Sequence, residues 1–465
     1  MRLPLLKSII PLVLFFILFW GCFKALQHSS IYYNTLGKIS KNYIRDENRD
    51  IKKAGVPFVA LADSTVLVWD ANYYHEIKEH GYRRIAAKEN NCIFAFFPFF
   101  PMVWKITGFS PVGMVFFNFL LFAIGFFLLF KLFQTHSQKY TISFLLLSLP
   151  FMVIFFIPYT EALYYLLFIC AAWGFVKKKY WLYFISMTLA AMTRNALTLI
   201  VTAIICTEII FLLQERKIAK SLKRLLWMTL PLLLGTIIVV IIQFLQGSNS
   251  IFNFLSAQSY WGHRFSLSNF SKIFDWSHEG FGMNIPTFMM VTIPALVYVI
   301  ILFLKCCGIW KIKSSSFAVN VENKENYLWV LCLFACLASS FMVIFFQGSN
   351  LHGLSRYVLA SPNLSIALYL GFRYVKNISL WKRNVCWIIC VILSPVIIFT
   401  SSYCSSFSFS FLGLLIFSTT MGLYTMQDKA HKPVYKGFLF LNFMINIIWT
   451  TYLFNMYLSN GWNFA

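Results

Sequence analysis

Charged residues are scarce in this sequence. They make up 12% of its 465 positions, whereas 59% of the positions are hydrophobic. A soluble protein with so few charges could not cover its surface. Apolar runs of at least ~18 residues, long enough to cross a bilayer as helices, recur along the chain. Solid runs of this kind favour helices over the short alternating segments of a β-barrel. We therefore predict one integral-membrane domain, residues 1–465, that is an all-α polytopic membrane protein.

Acidic residues are the rarest charged group, with 16 Asp and Glu against 39 Lys and Arg. The formal net charge of +23 could indicate a nucleic-acid partner. The basic residues instead concentrate in short loops between apolar runs, where they set membrane orientation. We predict contact with membrane lipids, no nucleic acid, and a cytoplasmic N-terminus.

Two motif classes are missing. The eleven cysteines show no zinc-type spacing, and most lie in or at the ends of apolar runs, where cysteine is a small hydrophobe. No glycine-rich phosphate loop appears, which argues against a nucleotide donor. We expect neither a metal nor a cofactor.

The apolar runs predict about 11–13 transmembrane helices. The first, Leu5–Cys22, is interpreted as a retained anchor because no small-residue cleavage site follows it. Two outer segments are long, residues 25–93 and 246–284. The remaining predicted spans are Val112–Phe130, Ile142–Phe156, Ala162–Val176, Trp181–Met192, Ala196–Leu213, Leu225–Leu245, Ile285–Leu304, Leu328–Phe346, Val358–Phe372, Val385–Thr400, Phe411–Tyr424 and Phe438–Met456.

Polar residues from distant parts of the chain fall on the outer face of this topology. Arg194 interrupts an apolar stretch that is too long for one span, which predicts two helices meeting at Thr193–Asn195. The candidate residues are Asp70 after Trp69, Glu161 in PYTEA, Arg194 in MTRNA, the loop residues Gln258, His263 and Arg264, and Arg356 in LSRY.

Each feature alone has a plain structural explanation. Asp70 could cap a helix at the interface, and Glu161 could satisfy a helix dipole. Arg264 and Arg356 could snorkel to the interface. Arg194 is harder to explain, because an arginine inside an apolar run is costly. The convergence of these residues on one face favours a functional site.

That convergence suits group transfer from a lipid-linked phosphate. A carboxylate can take the proton of an acceptor hydroxyl. Arginines match phosphate geometry and can stabilise a departing phosphate. A helix starting near Trp69 would put Asp70 on one face with Tyr73 and Tyr74, whose rings, with Trp69, could line a sugar.

The motifs resemble a known family. The segments WDANYYHEIKEHGY, AFFPFFP, PYTEALYYL, MTRNAL, FLSAQSYWGHRF and LSRYVL occur in this order over Trp69 to Tyr357, and the terminal GWNFA is also similar. This set resembles the PIG-V family, the second mannosyltransferase of glycosylphosphatidylinositol anchor synthesis and its bacterial homologues. The family pattern often has a serine where Asn195 stands here.

The resemblance implies a GT-C fold and transfer of mannose, or a similar hexose, from a polyprenyl- or dolichyl-phosphate carrier with inversion. The family's acid corresponds to Asp70, and its other motif residues to Glu161, Arg194, Arg264 and Arg356. The acceptor would be a glycolipid or extracytoplasmic glycan. Abundant Lys, Asn, Ile and Phe favour a bacterial inner membrane over the endoplasmic reticulum. The alternative is a polytopic transporter or lipid-glycan flippase.

Overall fold

The fold is given by a computed structural model, and it is almost entirely α-helical. The structure describes residues 3–26, 43–45, 51–53, 58–82, 92–133, 139–248, 250–261, 264–267, 284–309, 323–346, 351, 353–375, 378–400 and 407–460. Two short antiparallel strands, β1 (Tyr43–Arg45) and β2 (Ile51–Lys53), pair within the first long loop.

The helices are numbered in chain order. They are α1 (Leu3–Leu26), α2 (Asp63–Val66), α3 (Asp70–His80), α4 (Phe99–Thr107), α5 (Pro111–Leu132), α6 (Lys139–Leu147), α7 (Glu161–Val176), α8 (Tyr180–Thr193), α9 (Ala196–Glu215), α10 (Ile218–Leu245), α11 (Asn253–Ser256), α12 (Asn284–Cys306, with a π-helical turn at Phe288–Thr292), α13 (Lys324–Phe346), α14 (Leu354–Leu359), α15 (Pro362–Val375), α16 (Leu380–Thr400), α17 (Phe407–Thr425) and α18 (Pro433–Leu458).

Seven of the described helices are long and apolar enough to cross a bilayer. They are α1, α5, α9, α10, α12, α13 and α18. Helix α7 and the segment Leu412–Thr425 of α17 are shorter but also apolar. The chain is therefore an all-α polytopic membrane protein, as the sequence predicted. The total of 11–13 crossings stays a prediction, because it depends on the shorter helices.

The predicted break at Arg194 is present. Helix α8 ends at Thr193 and α9 begins at Ala196. Between them Arg194 is extended, with φ −158° and ψ 167°. The charged side chain thus lies at a helix junction, where it avoids the cost of a position inside an apolar helix.

The predicted span Ile142–Phe156 is wrong as a single helix. Helix α6 ends at Leu147, and the chain then runs through an irregular, buried segment to Thr160. Pro150 lacks an N–H and disfavours continuation of the helix. Irregular backbone at membrane depth is tolerated only where protein groups pair it. Hydropathy detects the apolar residues here but not the break.

Two buried asparagines provide that pairing. Asn446 of α18 donates to the carbonyls of Leu147 and Leu149, at 2.9 and 3.1 Å. Asn118 of α5 donates to the carbonyls of Ile157 and Tyr159. The irregular segment is therefore anchored on both sides before it enters α7.

Close helix contacts at small residues fix the core around α7, α8 and α10. A Cβ atom on Gly174 of α7 would overlap the backbone of Tyr183, and one on Gly235 of α10 would overlap the carbonyl of Thr188. Small residues allow helix backbones to approach in this way inside membranes. Because α8 packs closely against both α7 and α10, the position of its end at Thr193 is fixed.

Candidate functional site

Asp70 is the first residue of α3, as the sequence predicted for a helix starting near Trp69. The preceding residue, Trp69, has φ +53° and ψ −132°. A bulky side chain rarely adopts positive φ, and such strain persists only where the surroundings hold it. The Asp70 side chain is 21% exposed, so it is accessible from one side.

Glu161 is the first residue of α7, and its side chain is 1% exposed. A carboxylate at a helix N-terminus is favoured by the helix dipole. Its Oε1 accepts from Arg356 at 2.7 Å. Its Oε2 is buried and has no hydrogen-bond partner among the residues that the structure describes. Buried polar atoms are normally paired, so this oxygen can accept a hydrogen bond from a further donor.

Arg356 joins the two acids. Its Nη1 donates to Asp70 Oδ2 and its Nε to Glu161 Oε1, both at 2.7 Å. The guanidinium lies over the ring of Tyr159, 4.7 Å from the centroid, within the range of a cation–π contact. Burial alone would lower the pKa of Arg356, but Glu161 and Asp70 outweigh it and raise the pKa. Arg356 is thus a fixed positive bridge.

Arg194 approaches the same centre with less pairing. Its Nη1 lies 3.5 Å from Glu161 Oε1. Its guanidinium lies over the rings of Tyr164 and Tyr357, 5.4 and 5.3 Å from their centroids. Within the described ranges it donates no side-chain hydrogen bond, and the side chain is 19% exposed. Aromatic contacts therefore orient a guanidinium whose donors remain open to an anion.

Four of the predicted residues thus form one group, which we call the Arg356 cluster: Asp70, Glu161, Arg194 and Arg356. They come from α3, α7, the α8–α9 junction and α14. Sequence reasoning missed the aromatic partners Tyr159, Tyr164 and Tyr357, although each lies within three residues of a cluster member. Alternation of rings and charges in PYTEALYY and SRY was the available signal.

The aromatic residues of α3 divide into two roles. Tyr73 is partly exposed and stacks on Phe96, with ring centroids 4.7 Å apart. Tyr74 is 6% exposed and contacts Phe96 and Phe100 edge-on. Trp69 is partly exposed at the helix start. Trp69 and Tyr73 therefore have exposed ring surface near Asp70, whereas Tyr74 is buried. The substrate-binding roles of all three residues stay predictions.

The second long loop is described only in part. Gln258 lies in a short 3₁₀ helix, Ala257–Trp261, which packs on Cys92–Ala95. Arg264 is exposed and forms no ion pair within the described ranges. His263 and residues 461–465 lie outside the described residues. Substrate-binding roles for Gln258, His263 and Arg264 stay predictions.

A second ion cluster, which sequence reasoning missed, lies near the other end of α9. Glu208 Oε1 and Oε2 accept from Arg224 Nε and Nη2 at 2.6 and 2.8 Å, and Oε1 also accepts from Tyr327 Oη at 2.6 Å. We call these three residues the Glu208 cluster. At 1.5 Å per residue, Glu208 lies about 18 Å along α9 from Ala196. An acid within a predicted span was the signal for it.

The Arg356 cluster offers a carboxylate, a fixed cation and an available cation within one site. Asp70 Oδ1 accepts no hydrogen bond from a described residue, so it is open to a donor such as a hydroxyl. No group of three or more His, Cys, Asp and Glu among the described residues is arranged to hold a metal ion. The site is equipped for proton abstraction beside a bound anion.

No protein-family model, curated protein or solved structure matches this chain in the three comparisons made.

Proposed function

We propose that the protein is a membrane glycosyltransferase that moves a hexose from a polyprenyl-phosphate carrier to a hydroxyl of a glycolipid or extracytoplasmic glycan. The observation that carries the proposal is the Arg356 cluster, in which an accessible carboxylate adjoins an arginine with unused donors. The resemblance to the PIG-V family implies that the hexose is mannose or a similar sugar and that the carrier is a polyprenyl or dolichyl phosphate. The positive-inside pattern of the sequence supports a site on the outer face.

The proposed reaction is a single displacement. Asp70 Oδ1 accepts the proton of the acceptor hydroxyl, and the acceptor oxygen forms a bond to C1 of the sugar. The bond from C1 to the phosphate oxygen breaks, and its electron pair leaves with polyprenyl phosphate. Attack from the face opposite the phosphate inverts C1. The charge on the departing phosphate is stabilised by Arg194.

The two arginines have different tasks in this proposal. Arg356 already binds Asp70 and Glu161, so it holds the acids in place. Arg194 has N–H donors that make no side-chain hydrogen bond to a described residue, so it is a better phosphate ligand than Arg356. The orphaned Oε2 of Glu161 lies in the same group and can accept a hydrogen bond from the bound substrate or from Arg194 after a small shift.

The alternative is a transporter or flippase. Such proteins place their charged sites near the middle of the membrane, often on broken helices. Here Asp70 and Glu161 are the first residues of α3 and α7, and Arg194 lies in the junction before α9, so the cluster sits at helix ends rather than at mid-length. The guanidinium of Arg194 lies over two tyrosine rings and that of Arg356 over one, and these contacts also favour a fixed site over one that alternates between two faces.

The test uses purified protein in lipid nanodiscs with polyprenyl-phosphate-mannose and a total lipid extract as acceptor. We expect release of polyprenyl phosphate together with a mannosylated product. The other two hexose donors, polyprenyl-phosphate-glucose and polyprenyl-phosphate-galactose, serve as specificity controls. Absence of release from all three donors, with movement of lipid-linked sugar across proteoliposomes, would replace the proposal by the flippase.

A further inference from the structure

The last turn of α18 touches the segment that carries Asp70. Tyr457 is 0% exposed, and its hydroxyl donates to the carbonyl of Val66 at 2.8 Å and to that of Val68 at 3.4 Å. Two residues earlier, Asn455 Oδ1 accepts from the backbone N–H of Val59 at 3.0 Å. The C-terminal helix is therefore bonded to the chain that leads into α3.

Both contacted carbonyls come shortly before the strained residue, Trp69. The N–H of Val68 donates to the carbonyl of Val66, and the N–H of Ala71 donates to that of Val68. Trp69, which lies between Val68 and Ala71, has positive φ. Since backbone strain of this kind needs external restraint, the Tyr457 hydroxyl supplies a bond where the turn would otherwise relax.

Tyr457 also reaches the other side of the Asp70–Arg356 pair. Its ring meets that of Tyr159 edge-on, with centroids 5.9 Å apart, and the face of Tyr159 carries the guanidinium of Arg356. Tyr457 thus contacts both the turn that precedes Asp70 and the tyrosine ring that carries Arg356.

We propose that Tyr457 is a positioning residue, whose hydroxyl holds the turn at 66–69 and so aims Asp70 at Arg356 and at the acceptor. The inference rests on the proposed role of Asp70 as the general base. Tyr457 does not touch the reacting atoms, so it acts through the geometry of the turn.

Tyr435 is a matched control on the same helix. It is 5% exposed, and its hydroxyl donates to the carbonyl of Leu423 at 2.8 Å, near the other end of α18. Tyr457→Phe and Tyr435→Phe each remove one buried hydroxyl bonded to a carbonyl at the same distance. A structural effect alone should therefore lower the unfolding temperature similarly in both.

The experiment measures turnover and backbone exchange together. We expect Tyr457→Phe to lower kcat on the order of five- to tenfold, with the donor KM unchanged, because a hydrogen bond of this kind contributes about 1 kcal/mol. Tyr435→Phe should keep the wild-type kcat. Hydrogen–deuterium exchange of the peptide covering 58–72 should accelerate in Tyr457→Phe only.

The two measurements separate this proposal from the proposed function. If the wild type is active and Tyr457→Phe matches Tyr435→Phe in kcat, the positioning role is overturned whatever the exchange shows. If the wild type transfers no hexose, the function fails, and exchange alone decides the role of Tyr457. Faster exchange then supports the restraint of the turn, and unchanged exchange overturns it.

Discussion

The Arg356 cluster and the Glu208 cluster lie toward opposite ends of α9, and they differ in how completely their polar atoms are paired. Both oxygens of Glu208 are bonded, in a two-pronged pair with Arg224 and a third bond from Tyr327. In the Arg356 cluster, Glu161 Oε2 has no described partner and Arg194 donates no described side-chain hydrogen bond. Glu208 is therefore fully paired, whereas Glu161 and Arg194 leave hydrogen-bonding positions for a ligand.

Buried charge alone therefore does not identify a functional site. Both clusters place carboxylates and arginines in a low-dielectric bundle, and both use tyrosine faces to support the arginine. In the Glu208 cluster the paired charges hold helices together, so substitutions there should mainly lower stability. In the Arg356 cluster an acid is accessible, so substitutions there should mainly lower activity. The predictions below test that separation.

The largest expected effect on chemistry is at Asp70. Asp70→Asn keeps the size of the side chain but cannot accept the proton, so kcat should fall about 10²–10⁴-fold. Donor binding and expression should stay close to wild type. Steady-state release of polyprenyl phosphate measures the change, with size-exclusion profiles as the control for folding. Near-normal kcat would make Asp70 a helix cap and direct the search for the base to Glu161.

The largest expected effect on stability is at Arg224. Arg224→Ala leaves Glu208 buried without its cation, which should cost about 3–5 kcal/mol of unfolding free energy. The residual folded protein should retain donor turnover per molecule, because Arg224 lies far from Asp70. Thermal unfolding in detergent measures the loss. A variant with wild-type stability and reduced turnover would reverse the roles assigned to the two clusters.

Arg194 should show the opposite pattern. Arg194→Ala should lower kcat/KM for the donor by about ten- to 150-fold, the value of a charge-assisted hydrogen bond of 1.5–3 kcal/mol. Its effect on unfolding temperature should be small, because the side chain has few bonds to lose. Arg194→Lys should restore only part of the activity, since the planar fork is lost. Full activity of the alanine variant would make Arg194 an interfacial anchor.

The smallest expected effect is at His75, which lies on α3 away from the cluster and pairs with Glu79. Burial, and then Lys78, lower the pKa of His75. The folded protein therefore binds this proton less readily than the unfolded chain, and stability is lost as the pH falls below about 6.5. His75→Gln should keep normal turnover and show a smaller drop in unfolding temperature between about pH 7.5 and pH 5.5. An equal drop would contradict this.

The sequence predicted those parts of the fold that hydropathy and charge determine. The helix junction at Arg194 and the start of α3 at Asp70 are confirmed. Both could be predicted because a charged residue inside an apolar run marks the first and an acid directly after a tryptophan marks the second. The sequence also predicted that these four cluster residues meet, because the topology inferred from the basic loops puts Asp70, Glu161, Arg194 and Arg356 on one face.

What the sequence could not provide are pairings between distant backbone and side-chain groups. The irregular segment after Leu147 depends on Asn446, about 300 positions away in the chain, and no local pattern joins the two. The hydrogen bonds from Arg224 and Tyr327 to Glu208 also join residues that no local sequence pattern connects. For the same reason the sequence did not separate the bound Arg356 from the available Arg194.

We expect the Arg356 cluster, and not the Glu208 cluster, to receive the lipid-linked phosphate. Equilibrium binding of polyprenyl phosphate to the protein in nanodiscs distinguishes the two. We compare wild type with Arg194→Ala and with Tyr327→Phe, which removes one bond from Glu208. We predict that Arg194→Ala raises the Kd for polyprenyl phosphate by about ten- to 150-fold and that Tyr327→Phe leaves it unchanged. Equal affinity of wild type and Arg194→Ala, or weaker binding only in Tyr327→Phe, would contradict it.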